Sequence, residues 1–486
     1  MRSSGSAANG ARGAVPAAVR TAVARAAEVV ARPARLAAVA TALTVPAIVA
    51  AQERAVGGAL APAVRSALAA QVRASLLHDV LDPWYPGVVD RQAGGFLAGM
   101  DHAWRPTADQ RKMVVAQARH VWTAARAAAF FPGDTVLLPA AAHGFAFLRD
   151  VMWDREHGGF YWLMTRDGDV IPEPDGPVLK QAYGQAFAIY GLAAYHDVSG
   201  DDAALDLATQ TFHWLERHAH DPEHGGYFNY LERDGTPLVE GFGGDAAKDQ
   251  NSSIHLLEAF TELYRVWPDP LLRDRLREML VIIRDTLVTE PGTLTLFTTR
   301  DWTPVLWRDS TEAARRADAY YHDNISFGHD IETAYLLLEA AGALDGEPDP
   351  ATHRVARTLA SHTIRNGWDA EVGGLLDAAF PYPEPRGLTI VHPTKTWWVQ
   401  AEALNTLLIM GDLYPDDPLG YHLRFLEEWG YIQGFLVDHE HGGWYQGGLD
   451  RDPGRRLDLK GHIWKTAYHT ARALMNVARR LERATE

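Results

Sequence analysis

The sequence predicts an all-α protein, namely an (α/α)6 toroid of six helix pairs with short β-hairpins in the connecting loops. The first observation is a motif of an aspartate, a Gly-Gly pair and then an aromatic residue or leucine. Its copies begin at Asp90, Asp154, Asp221, Asp369 and Asp438. The second observation is that two long helical patterns follow a copy before the next one begins. Units that recur at a fixed period and pack against their neighbours are typical of a repeat architecture.

The spacing of the motif indicates how many units the chain contains. Successive copies are 64, 67, 148 and 69 residues apart. The longest interval equals two periods with one degraded copy, which we place near Thr293–Trp302. The chain therefore has six units. An open solenoid would need polar caps at both ends, which the terminal units lack, so we expect the units to close into a ring.

Each unit has the same internal plan. Its Gly-Gly pair suits a tight reversal, because glycine adopts positive φ without a steric penalty, and the flanking aromatic residues fit a short hairpin. One helix of each pair should line the central axis. Six evenly spaced positions mark this helix, namely Arg119, Gln185, His255, His329, Trp398 and His469.

Composition excludes several classes of function. The formal net charge of -16 repels phosphate backbones, so nucleic acid is not an expected partner. The chain has no cysteine, which excludes disulfides, a thiolate nucleophile, cysteine-based zinc sites and iron–sulfur clusters. Neither a P-loop nor a dinucleotide-binding fingerprint occurs. There is no His-Glu-x-x-His helix, and the pair His439 and His441 has no obvious third ligand, so we expect no catalytic metal.

The first 51 residues differ from the rest of the chain. They are rich in alanine and arginine and end in an uncharged apolar run from Leu36 to Ala51. This order resembles a secretory signal peptide ending near Ala51, while an amphipathic or disordered tail, or an upstream start codon, would explain it equally simply. The run is too short for a transmembrane span. We expect residues 52–486 to form a single domain, and both a cytoplasmic and an exported location stay open.

Candidate catalytic side chains fall on single helix faces. Asn251, His255 and Glu258 are spaced i, i+4, i+7, and His329 and Glu332 are spaced i, i+3. The second spacing predicts that the Glu332 carboxylate fixes the tautomer of His329.

The same spacing recurs in three further units. It groups Lys395 with Trp398 and Glu402, Lys465 with His469 and Arg472, and Arg119 with Trp122. Adjacent helical residues point about 100° apart, so at most one of Trp397 and Trp398 should meet a ligand. A lone histidine is usually a structural residue, but three histidines at one phase of a repeat favour a shared site.

These side-chain types suit proton transfer on a sugar. A pair of imidazoles can act as base on one face of a carbon and as acid on the other. A guanidinium can stabilise an enolate oxygen, and indole rings stack on the apolar face of a pyranose. Together they fit proton abstraction alpha to a sugar carbonyl, which needs no cofactor.

Several motifs together resemble the N-acylglucosamine 2-epimerase superfamily, and within it the cellobiose 2-epimerase branch. They are Lys180–Phe187, Gly328–Glu332, Lys395–Glu402 and Trp464–His469, in this order along residues 70–480. The resemblance implies an (α/α)6 barrel that epimerises aldoses at C2 through ring opening and a cis-enediolate. One departure is Ser253, where the disaccharide branch often has a further histidine.

The resemblance also implies roles for individual residues. It makes His469 and His329 the acid/base pair, His255 an orienting or ring-opening imidazole, and Arg119 the stabiliser of the enediolate. The implied substrate-binding residues are Asn251, Glu332, Trp398, Glu402 and Trp464.

The expected substrate is a small carbohydrate, and four alternatives stay open. The first two are a monosaccharide 2-epimerase and an aldose–ketose isomerase, acting on N-acylglucosamine or mannose. The third is a glycoside hydrolase on the same toroid, which would need two carboxylates at the scissile bond; Glu332 and Glu402 are the only plausible pair, and we interpret them as partners of His329 and Trp398. The fourth is a non-catalytic protein-binding member. The sequence does not indicate an oligomeric state.

Overall fold

Long helices dominate the structure, a computed structural model that describes residues 58–174, 176–243, 246–306, 311–318, 320, 323–347 and 349–483. Six of them surround the central axis: α2 (Val114–Phe130), α4 (Ala182–Ser199), α6 (Gln250–Val266), α8 (Phe327–Asp345), α10 (Trp397–Leu413) and α12 (Tyr468–Arg483). Six more lie outside them: α1 (Pro62–Ser75), α3 (Leu137–Phe147), α5 (Asp202–His218), α7 (Pro270–Ile282), α9 (Pro350–Gly367) and α11 (Tyr421–Tyr431).

The inner helices form a closed ring. Each packs against the next one along the chain, and α12 packs against α2. Each of α3, α5, α7, α9 and α11 packs on the inner helix that precedes it, whereas α1 packs on α12. The outer helix α1, which comes first among the described helices, therefore pairs with the last inner helix, α12. The predicted (α/α)6 toroid is confirmed.

The two sets of helices differ because their surroundings differ. Helix α2 has buried residues on all sides and buries 15 of its 17 residues, as expected for a helix packed between two neighbours and an outer layer. The outer helices keep one polar face. Three of them begin at aspartates whose side chains accept hydrogen bonds from backbone N–H groups of the first turn, namely Asp201, Asp269 and Asp349.

Short hairpins connect each outer helix to the next inner helix. Both glycines of the Gly94-Gly95 pair have positive φ (82° and 62°), and so do those of the four other pairs that belong to the repeated motif. The fourth hairpin, β6–β7, keeps one glycine, Gly292, with φ of 118°. The degraded copy expected near Thr293–Trp302 is thus present, and it begins a few residues earlier.

The strands of the structure are all short. They are β1 (Lys112–Met113), β2 (Leu163–Met164), β3 (Leu179–Gln181), β4 (Tyr230–Glu232), β5 (Lys248–Asp249), β6 (Val288–Thr289), β7 (Thr293–Leu294), β8 (Phe297–Thr298), β9 (Ile325–Ser326), β10 (Ala378–Tyr382) and β11 (Gly387–His392). Pairs β1–β2, β3–β4 and β5–β8 join a strand that enters an inner helix to a strand of the following unit, and β9, β10 and β11 form one antiparallel sheet. These pairings hold consecutive units in register.

The motif aspartates anchor the hairpins through buried ion pairs. Asp90 accepts hydrogen bonds from Lys112 and from Arg166 of the next unit. The same arrangement repeats at Asp154 with Lys180 and Arg233, and at Asp221 with Lys248 and Arg300. Buried charges need such partners. Each aspartate therefore fastens its own hairpin to the following unit.

The predicted marker Gln185 does not face the central site. Its amide accepts a hydrogen bond from the backbone N–H of Phe160 (2.8 Å) and donates one to the carbonyl of the same residue (2.9 Å). Gln117 and Gln400 hold the first and fifth hairpins in the same way. Glutamine at this position fixes the hairpin, because the side-chain amide matches both groups of one peptide residue.

The predicted tail, residues 1–51, lies outside the described residues, together with the run that resembles a signal peptide. Within the part of the chain that is described, no helix is both long and apolar enough to cross a membrane.

Candidate active site

A cavity lies where the inner helices begin. It is lined by Arg119, Tyr183, Asn251, His255, His329, Glu332, Trp397, Trp398, Trp464 and His469, and the space between them is about 150 Å³. These residues come from all six inner helices and from the segment that leads into α12. Each inner helix follows a hairpin or strand that fixes where its first turns lie. The ring thereby gathers residues that are 350 positions apart in the chain.

His469 lies in the wall of this cavity. Its Nδ1 is 2.5 Å from Oε1 of Glu402, a buried carboxylate on α10. A carboxylate accepts a hydrogen bond, so Nδ1 carries the proton and Nε2 keeps its lone pair. Burial, reinforced by the positive charges of Arg119 and Arg472, holds the pKa of His469 well below its ordinary value. At neutral pH this imidazole is an unprotonated base.

His329 borders the same cavity from α8. Its Nδ1 is 2.7 Å from the hydroxyl oxygen of Ser326. When that hydroxyl donates to Nδ1, the imidazole carries its proton on Nε2 and can act as an acid. Burial lowers the pKa of His329, and the neighbouring His255, His469 and Arg119 lower it further.

The expected pairing of His329 with Glu332 is wrong. One carboxylate oxygen of Glu332, Oε1, contacts the guanidinium of Arg472. The other, Oε2, is buried without a hydrogen-bond partner among the described residues. Glu332 pairs with the guanidinium of Arg472 because that group carries a full positive charge at a buried position, whereas His329 is neutral.

The indole of Trp398 lies against both histidines. Its ring centroid is 4.7 Å from that of His329 and 5.7 Å from that of His469. The two imidazoles, which are 140 positions apart in the sequence, therefore border one aromatic surface. A sugar ring lying on this surface would be within reach of both.

His255 forms a second pair of imidazole and carboxylate. Its Nδ1 is 2.9 Å from Oε2 of Glu258, one turn further along α6. Burial alone would raise the pKa of Glu258, but Arg472 and His255 together hold it well below its ordinary value. Glu258 is thus an ionised acceptor that fixes the tautomer of His255. The imidazole packs against the rings of Tyr183 and Phe187.

Arg119 places a cation at the cavity wall. It donates a hydrogen bond from Nη2 to the hydroxyl of Tyr183 (3.0 Å), and its guanidinium lies 4.2 Å from the ring centroid of Phe187. Its Nε has no hydrogen-bond partner among the described residues. This guanidinium has no carboxylate partner within the described part of the chain, and such a buried cation favours a developing oxyanion in the cavity.

Glu332 and Glu402 lie at different depths relative to the cavity wall. Glu332 lines the cavity, and burial together with the nearby Glu402 raises its pKa to about 7. Glu402, predicted as a substrate-binding residue, does not line the cavity. Its oxygens are taken by His469, by the hydroxyl of Tyr335 (2.9 Å) and by Arg472 (2.8 Å). These contacts give Glu402 a role behind His469.

Glu332, Glu402 and His469 also satisfy the distance rule for a metal site, because one ligand atom from each lies within 4.8 Å of the others. The guanidinium of Arg472, however, contacts both carboxylates. Arg472 supplies the positive charge that a metal ion would bring to these carboxylates. That the protein uses no catalytic metal stays a prediction.

Aromatic side chains form the mouth of the cavity. Trp464 is 45% exposed, and its ring centroid lies 6.0 Å from that of Trp162 and 6.4 Å from that of Tyr183. Deeper in the cavity, the Oδ1 atom of Asn251 is buried without a hydrogen-bond partner in the described structure. The mouth thus offers a flat apolar face, and the interior offers unpaired polar groups.

Comparison with known proteins connects this geometry to a family. The sequence profile of the N-acylglucosamine 2-epimerase family matches residues 94–473. The chain belongs to this family. A cellobiose 2-epimerase from Ruminococcus albus is 30% identical over 415 residues, which cover 83% of this chain and 97% of that protein. A cellobiose 2-epimerase from Bacteroides fragilis is 28% identical over 415 residues, covering 81% and 94%.

A solved structure agrees with both relatives. The cellobiose 2-epimerase from Spirochaeta thermophila has a TM-score of 0.74 and 31% identity, and the match covers 87% of this chain and 99% of that one. The resemblance predicted from the motifs is confirmed, and the protein is a carbohydrate epimerase, hence an isomerase.

Sequence reasoning on this epimerase missed some residues and misplaced others. Tyr183 was missed because the marker chosen on α4 was Gln185. Trp397 lines the cavity together with Trp398, although only one of them was expected to do so. The face predicted for Lys395 is wrong, because this lysine donates to the carbonyl of Gly373 (2.6 Å) and anchors the fifth hairpin. The recurrence of lysine 22 to 27 residues after each motif aspartate would have revealed that role.

Proposed function

We propose that this epimerase inverts C2 of the reducing-end aldose of a β-1,4-disaccharide such as cellobiose, converting glucose to mannose at that end. The observation that carries the proposal is the position of His329 and His469 beside one indole in one cavity. Both imidazoles are neutral, and their hydrogen-bond partners allow opposite tautomers, because the Glu402 carboxylate requires a proton on Nδ1 of His469 whereas the Ser326 hydroxyl can donate to Nδ1 of His329. One can therefore accept a proton while the other donates one.

The reaction begins with opening of the sugar ring, which makes the C2 proton acidic because it lies next to the C1 aldehyde. Nε2 of His469 takes that proton, and the electrons of the C2–H bond form a C1–C2 double bond and leave O1 as an oxyanion. His329 then donates its Nε2 proton to the opposite face of C2, and the aldehyde re-forms. A proton that passes from the imidazolium of His469 to His329 through solvent restores both imidazoles to their neutral forms. In the reverse direction the two histidines exchange roles. No electron is gained or lost overall, so the step needs no redox cofactor.

Three groups support the charged intermediate. Arg119 offers an uncompensated cation to the enediolate oxygens. His255, whose ring Glu258 holds, transfers the proton of ring opening between O1 and O5 in this scheme. Glu332, whose pKa is raised to about 7, can donate a hydrogen bond to a sugar hydroxyl when it is protonated and accept one when it is ionised.

The size of the cavity supports a disaccharide whose reducing end alone enters it. A space of about 150 Å³ is below the range of about 300–1,000 Å³ usual for drug-sized ligands, and it suits one sugar unit. The second sugar would lie at the mouth, where Trp464 exposes its indole beside Trp162. Stacking of a pyranose on an indole buries C–H surface at that point.

The test is incubation with cellobiose in deuterated water, followed by NMR. We expect the mannose-ended product with deuterium at C2 and, with time, deuterium at C2 of the remaining cellobiose. Release of free glucose would favour hydrolysis, and a ketose product would favour an aldose–ketose isomerase. Parallel incubations with glucose, mannose and N-acetylmannosamine separate the monosaccharide alternatives. Absence of C2 exchange with every sugar would overturn the proposal in favour of a non-catalytic binding role.

The hydrolase alternative has a structural obstacle. Its two candidate carboxylates, Glu332 and Glu402, both contact Arg472, and Glu402 also accepts from His469 and Tyr335. A glycosidase needs one carboxyl group free to protonate the leaving group and another to attack or activate water. Here Glu402 is committed to neighbours on the protein, and Glu332 is the one carboxylate among the residues that line the cavity, so the required second acid is missing there.

A further inference from the structure

Behind the catalytic wall, one guanidinium joins the carboxylates of three helices. Arg472 of α12 contacts Oε1 of Glu258 on α6 through Nη1, and Oε1 of Glu332 on α8 through Nη2. The same Nη2 lies 2.8 Å from Oε1 of Glu402 on α10. All four side chains are at least 95% buried. Arg472 itself does not line the cavity, so it does not touch the substrate.

Two of these carboxylates are the partners of cavity histidines. Glu258 accepts from Nδ1 of His255 through Oε2, the oxygen that Arg472 leaves free. Glu402 faces both Nδ1 of His469 and Arg472 with Oε1. A single carboxylate therefore separates Arg472 from each of two of the three cavity imidazoles, His255 and His469. A chain of this kind, from cation to carboxylate to imidazole, fixes ring orientation and tautomer.

We propose that Arg472 is a positioning residue, which holds Glu258 and Glu402 as ionised acceptors so that His255 and His469 present an unprotonated Nε2 to the cavity. This inference rests on the proposed function, because it assigns Arg472 a part in the same proton transfer. A guanidinium suits the task because its planar fork offers separate donors to acids that approach from different helices. Lysine would offer only one compact ammonium group.

The charge balance of the cluster supports this role. Three buried acids face a single guanidinium, and without it they would repel each other at positions with little exposure to solvent. The titratable groups that face Arg472 are Tyr190, Glu258, Glu332, Tyr335, Glu339, Glu402, Tyr468 and His469, and Arg119 faces His469 from α2. Removal of the one cation thus raises the proton affinity of the acids and of His469 together.

The experiment compares Arg472→Met and Arg472→Lys with the full-length wild-type protein. C2 exchange from cellobiose in deuterated water gives kcat and KM across pH, and thermal unfolding reports stability. Loss of a group behind a catalytic residue typically costs about 10- to 100-fold. We expect kcat to fall by about 100-fold in Arg472→Met and by about 10-fold in Arg472→Lys, with KM within about threefold of wild type. The acid limb of kcat/KM should move to higher pH, because the base binds its proton more tightly.

Arg65→Met is the matched control. Arg65 is also a buried arginine, paired to Asp412 by two hydrogen bonds of 2.8 and 3.0 Å, but it lies on the outer helix α1. Its replacement should lower the melting temperature and leave kcat and the acid limb unchanged. If Arg472→Lys shows that same pattern, Arg472 is merely structural and the proposal is overturned.

A second measurement does not depend on turnover. Nitrogen-15 NMR of histidine-labelled protein distinguishes the two neutral tautomers, and the His469 signals are assigned by their absence from His469→Ala. We expect wild type to show protonated Nδ1 and unprotonated Nε2 on His469, and Arg472→Lys to show a mixed or protonated ring at the same pH. An unchanged tautomer in Arg472→Lys contradicts the proposal. If the tautomer changes while wild type exchanges no sugar, the proposed function fails and the positioning role stands.

Discussion

Replacement of His469 by alanine removes the base from the cavity without orphaning its partner. Glu402 loses the hydrogen bond from Nδ1 but keeps those from Tyr335 and Arg472. The imidazole already borders an open cavity, so its loss creates no closed void. We expect a stability loss of about 1–2 kcal/mol, mainly from one hydrogen bond and contact with Trp398. The variant should therefore fold.

The effect on catalysis should be much larger. A positioned general base contributes about 10²- to 10⁴-fold to the rate, equivalent to about 3–5 kcal/mol of transition-state stabilisation. Deuterium incorporation at C2 of cellobiose measures that loss directly, and thermal unfolding measures the stability. His120→Ala is the control. His120, on α2, is buried like His469, but its Nδ1 forms a hydrogen bond with the hydroxyl of Tyr85 and it does not line the cavity. We expect it to lower the melting temperature and keep kcat within about threefold.

A folded His469→Ala protein that exchanges the C2 proton within about tenfold of the wild-type rate would contradict this expectation. In that case another group takes the proton, and the assignment of His469 as base is wrong. His469→Gln, which keeps a polar side chain near Glu402, provides the same test should the alanine variant prove too unstable to purify.

Three further predictions follow from particular contacts. Because burial and neighbouring cations lower the pKa of His469, the base stays unprotonated below the ordinary histidine value of about 6.5, so the acid limb of kcat/KM should lie below pH 6.5; a limb above that value contradicts the assignment. Trp464→Ala should raise KM for cellobiose by about 10-fold and leave the KM for a monosaccharide substrate unchanged, since stacking at the mouth serves only the second sugar; equal effects on both sugars would place Trp464 at the reacting ring. Lys248→Met leaves the buried Asp221 with Arg300 and the backbone N–H of Glu223 but without its buried ammonium partner, and it should cost about 3–5 kcal/mol of stability, seen as a lower melting temperature with KM unchanged; an unaltered melting temperature would show that the hairpin does not need this ion pair.

The fold was predictable because its signal is periodic and local. A pair of glycines at positive φ has few substitutes, so the hairpins remain visible in the sequence at nearly constant spacing. The one degraded copy, with Gly292 alone, still left an interval of two periods. Helix pairing and ring closure then followed from the repeat.

The site was predictable wherever one helix face carried the information. His255 with Glu258 is a pair one turn apart, and the structure has that hydrogen bond. His329 with Glu332 has the same spacing, yet Glu332 turns to Arg472, which is 140 positions away. Sequence spacing along one helix does not reveal that a residue on another helix is the stronger hydrogen-bond partner. For the same reason Glu402 was expected at the substrate, whereas it lies behind His469.

Side chains that serve the hairpins were the other source of error. Gln185 and Lys395 have the regular spacing of site residues, but the spacing reflects the repeated hairpin that each unit must hold. A repeat conserves its structural contacts at every unit and its chemistry at only some of them. Period alone therefore does not separate the two kinds of residue.

In the proposed mechanism His329 and His469 reach one carbon from opposite faces. A crystal structure with cellobiitol, in which the reducing sugar is open and cannot react, measures this directly. We expect C2 of the open-chain unit to lie about 3–3.5 Å from Nε2 of each histidine, the separation of a reactive encounter, with the two rings on opposite sides of the carbon chain. A complex in which both imidazoles lie on the same side of C2, or in which either is out of reach, would contradict it.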